Sequence, residues 1–166
     1  MFDTNNPEVQ FALDAVRKAA HLVKTVQTEM AADALTKGDK SPVTVADFAS
    51  QALVSRMMME QFPDAVLVGE EASDALKEDG AEHLLEAVTG YTARFIPGAK
   101  AASVCEWIDR GAADPAKRFW TLDPIDGTKG FIRGDQYAVA FALVEDGEVK
   151  IGVLGCPNLT DGYISE

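Results

Sequence analysis

The sequence predicts an α+β fold in which N-terminal helices pack on a mainly antiparallel sheet. Three observations carry this. Early in the chain, apolar residues recur at spacings of three and four. The end of the chain holds a strand-rich segment, YAVAFALVEDGEVKIGVLGCP. Within that segment Glu145-Asp146-Gly147 marks a tight turn, so its two strands pair as a hairpin.

Asn6-Pro7-Glu8 opens the first helix, with an N-cap residue, a proline at the first helical position and an acid in the first turn. Val9, Leu13, Val16, Ala20, Val23 and Val26 then mark one buried face. GDKSPVTVAD reads as a polar loop containing Gly38 and Pro42. Thr44 followed by Asp47 resembles a capping box with Asp in place of Glu. That pattern places Asp47 in the first turn of a second helix, which runs through FASQALVSRMMMEQF to Pro63. Ala65 to Val68 is a short apolar run closed by Gly69, a buried strand whose C-terminal end presents Glu70 and Glu71. SDALKEDGAEHLLEAV is helical at least in part. From about 90 to 118 the chain is rich in Ala, Gly, Pro and charge and reads as irregular with one short helix. RFWTLD is a further strand, with Asp123 at its end.

A chain of 166 residues suits one domain and can bury a real core. It is 47% hydrophobic and 25% charged, an ordinary globular composition. Fifteen Lys and Arg against 27 Asp and Glu leave a net charge of −12, which argues against a nucleic-acid partner that needs a basic face. A small anionic substrate is compatible with that balance, because a bound cation reverses the local field. The sequence has no apolar run long enough to span a bilayer, so no membrane partner is expected. MFDTNNPEVQ lacks the basic and apolar regions of a secretory signal, so a cytoplasmic location is expected. Cys105 and Cys156 are far apart in sequence, outside any CxxC pattern, and read as free thiols.

The chemistry concentrates in FWTLDPIDGTKGF. Asp123 and Asp126 both follow a strand, and Pro124 between them fixes its own φ near about −65°. Carboxylates held close repel one another, and a divalent cation relieves that repulsion. Hard oxygen donors with no His/Cys cluster suit magnesium or manganese rather than zinc. Gly127 lets the backbone approach a ligand closely. A helix starting at about Thr128 would point free N–H groups at a phosphate. If the fold also brings in Glu70, Glu71 and Asp47, the acids are enough for two or more metal ions, the arrangement used for in-line attack on phosphorus. Each residue also has a plainer reading. Asp47 could be a helix cap, Glu70-Glu71 a solvated strand end, and Asp-Pro and Asp-Gly ordinary turns.

VGEE followed by WTLDPIDGT resembles the inositol monophosphatase superfamily of Mg²⁺-dependent, lithium-sensitive phosphatases, and SPVTVADFASQ resembles its upstream element. DGTKGFIRGDQYAVAFALVEDGEVKIGVLGCPNL is similar to the 3′(2′),5′-bisphosphate nucleotidase branch, whereas inositol monophosphatases more often continue DGT with Thr-Asn-Phe. The resemblance covers nearly all of residues 8–159 and is weakest over about 72–118. It implies the first domain of the inositol monophosphatase/fructose-1,6-bisphosphatase fold. It also implies Mg²⁺-dependent removal of the 3′-phosphate from 3′-phosphoadenosine 5′-phosphate, with two or three ions and Mn²⁺ as a substitute. An inositol phosphate or another sugar phosphate is the alternative substrate.

Residue by residue, the resemblance implies that Glu70, Asp123 and the carbonyl of Ile125 bind a first ion. Asp123 and Asp126 would help hold a second, and Glu70 would touch a third. Asp47, paired with Thr128, would orient and deprotonate the attacking water. The amides of Gly127 and Thr128, beside Asp126, would hold the scissile phosphate. Family members are about twice as long as this chain. Their second α/β domain supplies another metal-ligating aspartate and most of the nucleotide-contacting basic residues. Residues 1–166 are therefore expected to be one domain, the N-terminal half, which self-associates or is completed by a C-terminal half. A non-catalytic half-domain that binds metal and phosphate is the other class of reading.

Overall fold

The computed structural model describes residues 4–31 and 41–159. Helix α1, Pro7–Val26, begins as its sequence dictates, with the Asn6 side chain accepting from the Glu8 N–H at 2.8 Å and Pro7 next. One π-helical turn, Gln27–Ala31, extends it. Helix α2 spans Ser41–Gln61. It starts earlier than the capping-box reading implies, so Thr44 and Asp47 lie inside the helix rather than at its start. Pro42 falls in the first turn, where the missing N–H has no helical partner to lose. Gly38, in the predicted loop, lies outside the described residues. A 3₁₀ turn, Ser73–Leu76, precedes α3, Glu82–Phe95, and α4, Ala101–Asp109. Regular structure therefore reaches well into the stretch read as irregular; only 96–100 and 110–117 are so.

Four strands form one sheet in the order β1-β2-β3-β4: β1 Leu67–Val68, β2 Arg118–Asp126, β3 Ala138–Glu145 and β4 Glu148–Gly155. The pairs β2–β3 and β3–β4 are antiparallel, and β1–β2 is parallel, so the sheet is mainly antiparallel as expected. Asp146 and Gly147 have φ of 53° and 81°, the two positive values that a tight two-residue hairpin turn requires.

The helices cover one sheet face. Trp120, Leu122, Val139, Phe141, Leu143 and Ile151 are buried there. Trp120 and Phe141 stack at 4.7 Å, and Phe11 of α1 meets both edge-on. The predicted stripe on α1 is correct at Val9, Val16, Val23 and Val26 but wrong at Leu13, which is 49% exposed. The helix instead buries a wider arc that adds Phe11, Ala12, Ala15, Ala19 and Leu22, because it packs against α2 as well as against β3 and β4. Among the described residues, no helix is long and apolar enough to cross a membrane. Cys105 and Cys156 are both free.

Candidate active site

The parallel pairing of β1 with β2 is what gathers the acids. Leu67 lies beside Trp120 and Val68 beside Thr121, so both strands run toward the same end of the sheet. Glu70 and Glu71 follow β1 at that end, and Asp123 and Asp126 lie on the last part of β2. The strand does not stop at Asp123 as expected. It continues through a bulge, because Asp123 faces Ala140 and Asp126 faces Ala138, three steps on one strand against two on the other. Pro124 has no N–H to give the ladder, and Asp123 Oδ1 closes the bulge by accepting from the Ile125 N–H at 3.0 Å. Ile125 itself is buried.

Gly127 follows with φ 99°, and α5, Thr128–Arg133, starts directly after it. A left-handed residue is needed at this corner, and glycine adopts it without a Cβ penalty. Neighbouring segments fix α5 in place. Gln27 donates from Nε2 to the Phe131 carbonyl at 2.7 Å, and Asp135 N–H donates to the Gly130 carbonyl at 2.8 Å. Lys24 donates to the Asn158 side chain, which in turn donates to the Asp135 carbonyl.

Asp47 approaches from α2, which packs against both β2 and α5. Burial and the charges of Glu71, Asp123 and Glu70 push its carboxyl up to about 8. Burial, then Asp123 and Asp126, raise Glu70. Burial, then Glu70, raise Glu71. Asp123 is raised by burial and Asp126, against the pull of the Ile125 N–H. The three predicted segments therefore lie within electrostatic reach of one another. Two finer features are not made directly. No hydrogen bond joins Asp47 to Thr128, which is exposed. Among the described residues, no three acidic, His or Cys side chains stand in position to enclose a single ion. Glu71, counted among the possible cation-holding acids but given no role by the resemblance, is the charge that acts most strongly on Asp47. Its only sequence signal is its place beside Glu70.

The donor set suits a hard divalent cation. The side chains brought together are carboxylates, and the two histidines lie elsewhere, His21 against Phe95 and His83 on the Gly80 carbonyl.

A model of the inositol monophosphatase family matches residues 5–165. The chain belongs to that family. Members of this family are generally metal-dependent phosphatases. The chain is 43% identical to 3′(2′),5′-bisphosphate nucleotidase 2 of Candida albicans, covering 95% of this chain and 48% of that protein. It is likewise 43% identical to a 3′(2′),5′-bisphosphate nucleotidase of Oryza sativa, over 95% of this chain and 48% of the relative. The chain thus spans about half the length of the curated relatives it matches. An inositol monophosphatase from Zymomonas mobilis shares the fold, with a TM-score of 0.55 at 21% identity over 94% of this chain and 46% of that one.

Proposed function

We propose that these residues form the acid-bearing half of a Mg²⁺-dependent, lithium-sensitive phosphatase. It would hydrolyse the 3′-phosphate of 3′-phosphoadenosine 5′-phosphate to give AMP and phosphate. One observation carries the reading. Carboxylates from three separate segments are brought within reach of one another, and Glu71, Asp123 and Glu70 all raise Asp47, a repulsion that a divalent cation would relieve. The names of the curated relatives favour the nucleotide over an inositol or other sugar phosphate.

In this reading Glu70, Asp123 and the Ile125 carbonyl would hold one ion, and Asp123 and Asp126 would help hold a second. Glu70 would reach a third. Manganese can stand in for magnesium. Such ions would neutralise the carboxylates, make a bound water more acidic, and stabilise charge on the attacking and leaving oxygens. Asp47 and Thr128 orient the water, and Asp47 accepts its proton as the new P–O bond forms. The amides of Gly127 and Thr128 hold the phosphate, and the departing 3′-oxygen takes a proton from solvent.

A second reading is a half-domain that binds metal and phosphate but turns nothing over until a second half joins it. That half would be a C-terminal domain or another copy of the chain. Among the described residues the acids reach one another without closing round a point, which favours this version.

Phosphate release with Mg²⁺ separates the readings, comparing 3′-phosphoadenosine 5′-phosphate with inositol 1-phosphate, with and without lithium. Lithium-sensitive release from the nucleotide is expected, and Asp123→Asn should abolish it. Full activity in that variant would refute the assigned site. Binding of Mg²⁺ and phosphate without release would favour the second reading.

A further inference from the structure

Gln51 is fully buried on α2, one helical turn beyond Asp47. Its Nε2 donates to the Glu71 carbonyl at 2.7 Å and to the Ile108 carbonyl at 2.8 Å. Its Oε1 accepts from the Glu71 N–H at 3.0 Å. One side-chain amide therefore grips the Glu71 residue at both its N–H and its carbonyl, as a neighbouring strand would.

The grip stands in for a ladder that is missing. β1 pairs with β2 over two residues and stops before the acids. The amide sits in a slot that only glycines leave open. A Cβ on Gly69 would stand 2.3 Å from Gln51 Oε1, and one on Gly111 would stand 2.5 Å from Nε2. Those two glycines are joined by the Gly69 N–H to the Gly111 carbonyl at 2.7 Å. The glycine of VGEE is thus explained by the glutamine it accommodates. A buried amide is tolerated only with its polar atoms satisfied, and here that satisfaction lies on the peptide of a site acid.

We infer that Gln51 is a positioning residue: it locks the Glu70-Glu71 segment at a fixed offset from Asp47 on the same helix and thereby sets the cation affinity of the acidic site. The inference rests on the cation-binding part of the proposed function.

The test is Mn²⁺ binding to the full 166-residue chain, read from the electron paramagnetic resonance signal of the free ion. Gln51→Met keeps the volume and removes all three hydrogen bonds. Gly111→Ala crowds the amide while leaving Gln51 and every acid in place. Val54→Ala, a buried apolar position on the same helix, serves as the control for lost stability alone. Both amide variants should bind Mn²⁺ at least about tenfold more weakly, while Val54→Ala binds like the parent at a comparable loss of Tm. Parental affinity in folded Gln51→Met overturns the inference and leaves the functional reading standing. If Gln51→Met does not fold, Gly111→Ala decides by the same criterion, because its Cβ meets mainly the far end of a flexible side chain. Should the parent bind no Mn²⁺, or should Asp123→Asn bind as tightly as the parent, the functional reading fails and the inference falls with it.

Discussion

Replacing Asp47 with asparagine should stabilise the cation-free protein at neutral pH while ending any catalysis that needs this carboxylate. Asp47 is raised from an ordinary 3.8 to about 8 in the folded state, by burial and by Glu71, Asp123 and Glu70. In the unfolded chain it ionises at its ordinary value. Well below pH 4 the group is protonated in both states, and the native state carries no penalty. As pH rises toward 8 the native protein must either keep the proton or hold a buried charge among like charges, so stability falls through that window. At pH 7 this amounts to about 3 pKa units, or roughly 4 kcal/mol at about 1.36 kcal/mol per unit. For a domain of this size that is about 8–16 °C in Tm. Asparagine has nearly the same shape and no charge, so the variant should recover most of it. Thermal melts in a chelating buffer at pH 4, 5.5, 7 and 8 would show the gain growing with pH. Saturating Mg²⁺ should shrink it, because a cation favours the ionised carboxylate. A variant no more stable at pH 7, or equally stabilised at pH 4 and pH 7, would show that Asp47 does not carry this strain.

Two further predictions concern the scaffold. In Gly130→Ala the new Cβ would stand 1.9 Å from the Gln136 carbonyl oxygen, so α5 or its following loop must shift. A loss of about 1–3 kcal/mol by denaturant titration is expected, and an unchanged midpoint would mean that the close approach is not needed. Phe11→Ala removes the ring that joins α1 to Trp120 and Phe141 and should cost about 3–5 kcal/mol; a loss under about 1 kcal/mol would mean that α1 docks through its other residues.

What could be read in advance was local. Asn6-Pro7-Glu8 names its own helix start, Asp146-Gly147 its own turn, and Gly127-Thr128 the corner before α5. Each depends on the backbone preferences of two or three neighbouring residues. Thr44 and Asp47 have the spacing of a capping box, but the helix has already begun at Ser41, with Pro42 in its first turn. Leu13 was misread because apolar spacing describes one stripe, while the two-sided packing of α1 selects a broader arc. The acids of DPIDGT could be picked out as a group. Their meeting with Glu70 and Asp47 could not be derived from periodicity, since it depends on β1 lying parallel to β2. Gln51 was invisible for a similar reason: a glutamine in a helix looks like a surface residue until the strand end that needs its amide is placed beside it.

The two-residue contact between β1 and β2 also bears on the order of assembly. The hairpin β3–β4 closes through a two-residue turn, whereas Leu67 finds Trp120 only after all of α3 and α4 has been looped out. Distant pairings incur their loop entropy before they gain contacts, so they tend to come late. A refolding chain should therefore hold Asp123 and Asp126 in place before Glu70 and Glu71 arrive. Cation uptake during refolding should lag behind the burial of tryptophan fluorescence, and simultaneous traces would disprove this order. The acidic site would then be the last part of the molecule to form, and ion binding would report completed folding rather than collapse.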